Sequence, residues 1–403
     1  MKILKFGGTS VGSVESISKL LQIIEKEQKQ SGNPVIVLSA MSGVTNLLSS
    51  MADKAAQGGT FSNELKELEE RHFDVIKELL AVPRQNPVFT KLRILFNELE
   101  DLLQGVLILR ELTPRTRDLV LSYGERCSTF MISKIAGQKS DEDVYVNAAD
   151  VIKTDSSFGQ ARVNMELTEL LIRDCYNSNK GKMLFVTGFI ASNDEGRITT
   201  LGRGGSDYTA AIFGSALNAE EIEIWTDVNG MMTADPRMVK KAFSLPELSY
   251  TEAMELSFFG AKVIYPPTMI PAFMKKIPIV IRNTFEPEFP GSVIKHDCEN
   301  SGLAIKGISS INDISIINIE GSGMVGKAGF SGRLFSLLAR EQINVILITQ
   351  SSSEHSITFA IHPSDAARAQ HLIGQEFELE LLAKKIEAPV FEQGLSVLAI
   401  VGE

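Results

Sequence analysis

Residues 3–6 form a short apolar run that stops at Gly7-Gly8, and Ile17, Leu20, Leu21 and Ile24 then recur at helical spacing. The period changes from strand to helix across a glycine turn. A second run, Val35–Leu38, follows Asn33-Pro34 and ends in Ser39-Ala40-Met41-Ser42-Gly43. Apolar runs of this kind, alternating with helical periods, restrict the chain to a mostly parallel sheet with helices on its faces. Residues 183–187, 221–225 and 278–281 read as further buried strands. Residues 62–137 are rich in Leu, Glu, Lys and Arg, which predicts helices interrupted near Pro83, Pro87 and Pro114. The fold class is α/β.

With 403 residues the chain is long enough for two or three domains, each able to bury a core without disulfides or structural metal. Residues 285–291, with Pro287, Pro290 and Gly291, form the best linker candidate and place the main boundary near residue 295. Beyond it, runs at 314–319, 345–348 and 357–361 and helical periods at 329–340 and 364–373 make a compact βαββα series. A last apolar run, 395–401, begins another strand with nothing after it to cover its other face. The expected division is 1–295, 296–385 and 386–403.

Cys127, Cys175 and Cys298 are odd in number and far apart, with no CxxC, which fits a reducing compartment. The N-terminal residues are too short and too soon interrupted for a secretory h-region, and no apolar run approaches a membrane span. A cytoplasmic location is expected. The net charge of −10 argues against a general nucleic-acid or anionic-membrane surface, but allows a local basic pocket for a phosphorylated ligand. His72, His296, His355, His362 and His371 have no metal-ligand spacing and receive no catalytic role; no protein metal site is expected.

The densest cluster of small and charged residues is Gly202-Arg203-Gly204-Gly205-Ser206-Asp207-Tyr208-Thr209, directly before a helical run. Adjacent glycines let backbone amides approach a ligand, and a helix start adds unpaired N–H groups and a positive dipole end. Gly7-Gly8-Thr9-Ser10, placed before the first helix and after Lys5, follows the same logic. Either turn alone is equally a tight turn without a ligand; the two together, each with an embedded basic residue, favour an anion. Trp225-Thr226-Asp227-Val228, with Asp235-Pro236-Arg237 behind it, offers hydroxyl, carboxylate and guanidinium groups suited to a nucleotide. Two motifs mislead. Gly321, Gly323 and Gly326 satisfy GxGxxG, but the next strand ends in Thr349-Gln350 rather than an acid for a ribose, and Ala328 stands where a Walker loop needs Ser or Thr.

Five motifs in order, Lys5-Phe6-Gly7-Gly8-Thr9-Ser10-Val11, Leu38-Ser39-Ala40, Gly202 to Tyr208, Trp225-Thr226-Asp227-Val228 and Gly260-Ala261-Lys262-Val263, resemble those of aspartokinases. Residues 347–354 look most like the kinase arm of bifunctional aspartokinase–homoserine dehydrogenases. The resemblance implies an amino-acid-kinase fold followed by an ACT-like regulatory region. It also implies transfer of the ATP γ-phosphoryl group, with Mg²⁺, to the side-chain carboxylate of L-aspartate, giving 4-phosphoaspartate in the biosynthesis of lysine, threonine and methionine. By the same resemblance Lys5, Gly8 and Asp207 serve the transfer. Ser39, Thr45, Glu125, Phe189, Arg203 and Ser206 bind aspartate, and Thr226, Asp227, Arg237 and Lys262 bind ATP. Departures are Ala191 for a usual glycine, Tyr265 for a usual histidine, and Met232 where tyrosine is common; the last removes one ring contact to the nucleotide.

The ACT-like region implies feedback by an amino acid, with Met324, Gly329, Phe330, Val345, Gln350 and Ser351 at the effector positions between two chains, hence a homodimer or larger homo-oligomer. Ile346 stands where lysine-sensing relatives place an acid, so threonine is favoured over lysine. One ACT unit plus the first strand of a second reads as a fragment of a longer enzyme. The alternatives are a kinase for another amino-acid carboxylate, such as N-acetylglutamate, or a silent amino-acid-binding regulator. Glu125, suited to a free amine, argues against the first; the intact Lys5, Arg203, Asp207 and Lys262 argue against the second.

Overall fold

The computed structural model describes residues 1–138, 143–259, 263–298 and 305–402. They form two compact units, Met1–Gly307 and Ile308–Val401.

In the first unit the elements run β1 (Lys2–Phe6), α1 (Val14–Ser31), β2 (Val35–Leu38), α2 (Val44–Ala56), α3 (Ser62–Leu79), α4 (Val82–Leu109), α5 (Pro114–Ala136), β3 (Asp143–Val146), α6 (Ala148–Val151), β4 (Lys153–Thr154) and α7 (Met165–Ser178). There follow β5 (Met183–Thr187), β6 (Ile190–Asn193), β7 (Ile198–Thr200), α8 (Gly205–Leu217), β8 (Glu221–Thr226), β9 (Glu247–Ser249), α9 (Tyr250–Phe258), α10 (Ile270–Met274), β10 (Ile279–Asn283) and β11 (Ser292–Lys295). Eight strands make one sheet in the order β3-β5-β2-β1-β8-β10-β11-β9, parallel from β3 through β10. Ile3, Leu4, Phe6 and all of β2 are buried, which is why the sequence reads there as continuous apolar runs rather than alternation. A smaller sheet pairs its strands in the order β4-β6-β7.

Three details depart from the sequence reading. Pro87 lies inside α4 without ending it. It forfeits one backbone bond near the helix start, while Val88, Leu92, Leu95, Phe96, Leu99, Leu103 and Val106 bury one continuous face. Residues 285–291 are not a linker: they join β10 to β11, which pair antiparallel from Ile279↔Ile294 to Ile281↔Ser292. Proline and glycine mark a hairpin connection and a linker alike, and only the pairing separates them. The first helix also begins later than the glycine turn, at Val14, where Ser13 and Ser16 cap each other. Its N-terminal amides are therefore satisfied locally.

Under β1, Lys2 Nζ lies 3.0 Å from Glu223 and 3.3 Å from both Glu27 and Glu221. Burial disfavours the ammonium, but the carboxylates, Glu223 foremost, hold its pKa above the ordinary lysine range. Glu223 is buried and also accepts from Trp225 Nε1 at 2.8 Å. Replacing Lys2 by Met leaves this carboxylate cluster short of its nearest cation, so the expected loss of stability is about 3 kcal/mol. A urea titration followed by fluorescence of Trp225, the chain's single tryptophan, checks it.

The second unit comprises β12 (Gly307–Glu320), α11 (Phe330–Arg340), β13 (Val345–Gln350), β14 (Ser356–Ile361), α12 (Pro363–Glu376), α13 (Glu378–Leu382) and β15 (Val390–Val401). The sheet order is β13-β14-β12-β15. The final strand, expected to start a further unit, is thus an edge strand of this sheet, hydrogen-bonded beside β12. The misleading glycines also find their reason here: a Cβ on Gly321 would fall 2.4 Å from the Lys385 carbonyl, and one on Gly323 2.5 Å from Lys385 Cβ. They permit close backbone packing, with Gly323 N donating to the Lys385 carbonyl at 2.8 Å.

Candidate active site

Strands β5, β2, β1 and β8 are neighbours and parallel, so their C-terminal ends share one edge of the sheet. The turns leaving them, Gly188-Phe189, Ser39 to Gly43, Gly7 to Ser10 and Thr226-Asp227, are thereby brought together. They line a cleft of about 750 Å³ with α5, the Gly202–Asp207 segment, Gly159 and Thr200. Lys5, Gly8, Ser39, Thr45, Glu125, Phe189, Arg203, Ser206, Asp207, Thr226 and Asp227 all face it. Arg237 does not: its guanidinium pairs with Asp235 and is 83% exposed. Lys262, with Gly260 and Ala261, lies outside the described residues.

The cleft carries two kinds of surface. On the side of β1, Lys5 is buried and its Nζ lies 2.5 Å from Asp207 Oδ1, in the first turn of α8. Glycines 43 and 204, both left-handed, cap α2 and α8 without any side-chain bond; the Val44 and Gly205 amides turn back to the Met41 and Gly202 carbonyls, while those of Thr45 and Ser206 donate to no acceptor among the described residues. The amides of Gly8 and Thr9 likewise donate to no acceptor among the described residues. A buried lysine, open amides and aligned dipoles suit this side to an anion.

On the opposite side, Glu125 is buried in the middle of α5. Its Oε1 accepts from Ala40 N at 3.1 Å, and its Oε2 has no hydrogen-bond partner among the described residues. Gly124 makes that bond attainable, because a Cβ there would lie 2.8 Å from Ala40 Cβ and hold the helix off the turn. Burial pushes the Glu125 carboxyl up to about 8, against the Ala40 bond and the positive charge of Lys5. Arg203 is exposed to the cleft and stacks over the Tyr265 ring, 5.6 Å from its centroid. Tyr265 therefore supplies an aromatic platform for the guanidinium. Phe189 adopts a left-handed conformation (φ 68°), held by its N–H donating to Thr209 Oγ1 at 3.1 Å. Such strain in a bulky residue is sustained only where surrounding packing fixes it. A carboxylate oxygen and a guanidinium without ion-pair partners among the described residues, lining one cleft with short hydroxyls, suit a small zwitterion.

The sequence reading passed over Arg117, Asp118, Leu121, Gly159 and Thr200. Asp118 stands seven residues before Glu125, on the same face of α5, and that spacing was the available signal.

Residues 1–283 match the model of the amino acid kinase family, and residues 317–377 that of the ACT domain. The lysine-sensitive aspartokinase 3 of Escherichia coli K12 is 31% identical over 407 residues, covering 99% of this chain and 86% of that protein. The chain belongs to the amino acid kinase family, among its aspartokinases. A bifunctional aspartokinase/homoserine dehydrogenase of Haemophilus influenzae is 35% identical over all of this chain; the chain spans about half the length of such bifunctional relatives. The solved structure of E. coli aspartokinase III with aspartate and ADP, in its R-state, covers the whole chain and 87% of that protein at a TM-score of 0.84 and 28% identity. The T-state of the same enzyme, with lysine and aspartate, superposes at 0.78. The amino-acid-kinase fold followed by an ACT domain is thereby established for this aspartokinase-family chain. Among the described residues no helix is long and apolar enough to cross a membrane.

Proposed function

We propose that this chain transfers the γ-phosphoryl group of ATP to the side-chain carboxylate of L-aspartate. The observation that carries the reading is the pairing, in one cleft, of the Lys5 and glycine-amide anion site with the Glu125 and Arg203 zwitterion site. The structure of a relative holding aspartate and ADP supports it. Arg203 would bind the α-carboxylate and Glu125 Oε2 the α-ammonium, while Ser39, Thr45 and Ser206 add short bonds and Phe189 closes the wall. The remaining carboxylate then points toward Lys5.

The chemistry needs little else. An ionised carboxylate oxygen attacks Pγ, the bond from Pγ to the β–γ bridging oxygen breaks, and its electron pair leaves with ADP. No proton moves, so no general base is required. Lys5 and the Gly8 amide meet the equatorial oxygens of the transferring group, and Asp207 fixes the Lys5 ammonium in place. Among the described residues no group of three or more His, Cys, Asp or Glu forms a metal cage. Asp207 and the nucleotide phosphates would hold Mg²⁺, which would supply neutralisation of phosphate charge when bound. Thr226 and Asp227 would serve the nucleoside side, and Lys262 and Arg237 the phosphates; for Arg237 this requires release from Asp235.

We further propose amino-acid feedback through the ACT domain, in a homo-oligomer, with threonine preferred because Ile346 offers no charge to an ε-ammonium. Gly329 caps α11, Phe330 packs on Phe377 at 4.6 Å, and Val345 and Gln350 lie in the edge strand β13, where a second chain can pair. Ser351 accepts from Ser356 N, and Met324 is buried in this unit's core, with its N–H donating to Gly321 and its carbonyl accepting from Lys327. A hydroxamate assay of acyl phosphate from ATP and Mg²⁺, run with L-aspartate, L-glutamate and N-acetylglutamate, tests the activity; signal confined to an acceptor other than aspartate overturns it. Threonine and lysine added to the same assay decide the effector.

A further inference from the structure

Asp118 is a buried carboxylate on the cleft wall that the transfer chemistry does not use. Its Oδ2 accepts from Gly159 N and from Thr200 N, both at 2.9 Å, and its Oδ1 from the Thr200 hydroxyl at 2.8 Å. These three hydrogen bonds join α5 to two segments far from it in sequence: the loop after β4 and the end of β7. The Ala161 N–H donates to the Thr200 carbonyl at 2.9 Å, sewing the loop to the strand. Thr200 stands three residues before Arg203, and Gly202 packs so closely on Gly159 and Gln160 that a Cβ there would meet both at 3.2 Å. The same helix carries Glu125 two turns on, about 10 Å along the axis. One rigid element therefore holds the ammonium partner directly and the carboxylate partner's loop through Asp118.

We infer that Asp118 is a positioning residue that sets the separation between Glu125 and Arg203, and so selects the span of the zwitterion bound between them. This rests on the reading of that half of the cleft as the acceptor site. Asp118→Asn keeps the shape but removes the charge: its amide oxygen still accepts from the Gly159 and Thr200 N–H groups, now as weaker neutral bonds, while its NH2 meets the Thr200 hydroxyl. It is expected to raise the KM for aspartate about tenfold, the equivalent of about one charge-assisted hydrogen bond, with the KM for ATP within about twofold of wild type. Thr200→Val, which removes the hydroxyl bond alone, shows the same split with a smaller rise. A parallel rise in both KM values, or no rise for the acceptor, overturns the inference. Hydrogen exchange of the substrate-free full chain separates it from the functional reading. The Gly159 and Thr200 amides exchange faster in Asp118→Asn if the clamp is real, whatever the acceptor proves to be, and unchanged exchange refutes the clamp.

Discussion

Lys5→Met is expected to lower kcat by about a thousandfold, the scale of removing a preorganised charge from a transferring group. Lys5 is the penultimate residue of β1, buried, and held 2.5 Å from Asp207. Methionine reproduces the stem and removes the ammonium. Two anionic reactants then meet without the cation that offsets their repulsion, in a site where water cannot substitute for it. The same change strands Asp207, so the variant also loses stability. The double variant Lys5→Met, Asp207→Asn removes that cost and is expected to recover the melting temperature of wild type but none of its activity. Near-normal hydroxamate formation by either variant removes Lys5 from the mechanism.

Glu125→Gln is expected to raise the KM for aspartate about a hundredfold, because a buried ammonium then loses a carboxylate and gains a neutral amide. The pH dependence gives a sharper test. In the free protein burial places the Glu125 carboxyl at about 8. The substrate ammonium needs the ionised form, so below that pH binding must first remove a proton. The kcat/KM for aspartate is expected to fall roughly tenfold per pH unit below the transition in wild type, and to lose that slope in Glu125→Gln. Stability runs the other way. A folded-state pKa raised from 4.5 to about 8 means that the folded chain binds the proton more tightly than the unfolded one. The contribution is fully present below 4.5 and lost as pH rises through 8. Across that window substrate-free wild type is expected to lose stability relative to Glu125→Gln, and aspartate to restore it. Melting curves at both ends of the window check the sign.

Much of this site was legible in the residues. Lys5-Phe6-Gly7-Gly8 and the Ser39 turn carry an apolar run, then small residues; the Gly202–Asp207 segment puts small residues before a helical run, and Thr226-Asp227 ends an apolar run with polar groups. Four of these leave adjacent parallel strands or open α8, and the fold had no alternative to gathering them. Arg237 was legible only as a charged residue near the right strand. Its pairing with Asp235 two residues away competes with any role in the cleft, and no sequence pattern distinguishes the two states. Asp118 failed for the opposite reason. A lone aspartate near a helix start reads as a surface or dipole-favouring residue, and the donors that bury it come from positions 159 and 200.

The sequence by itself determined the elements, their parallel arrangement and the charges delivered to the strand ends, because apolar period and turn chemistry are properties of neighbouring residues. Only the tertiary structure decided which carboxylate keeps an oxygen open to the cleft and which is clamped, that residues 285–291 join two paired strands, and that the last strand lies at the edge of the second sheet. Those outcomes depend on donors and strands far apart in the chain. Nothing local records the free energy of their meeting.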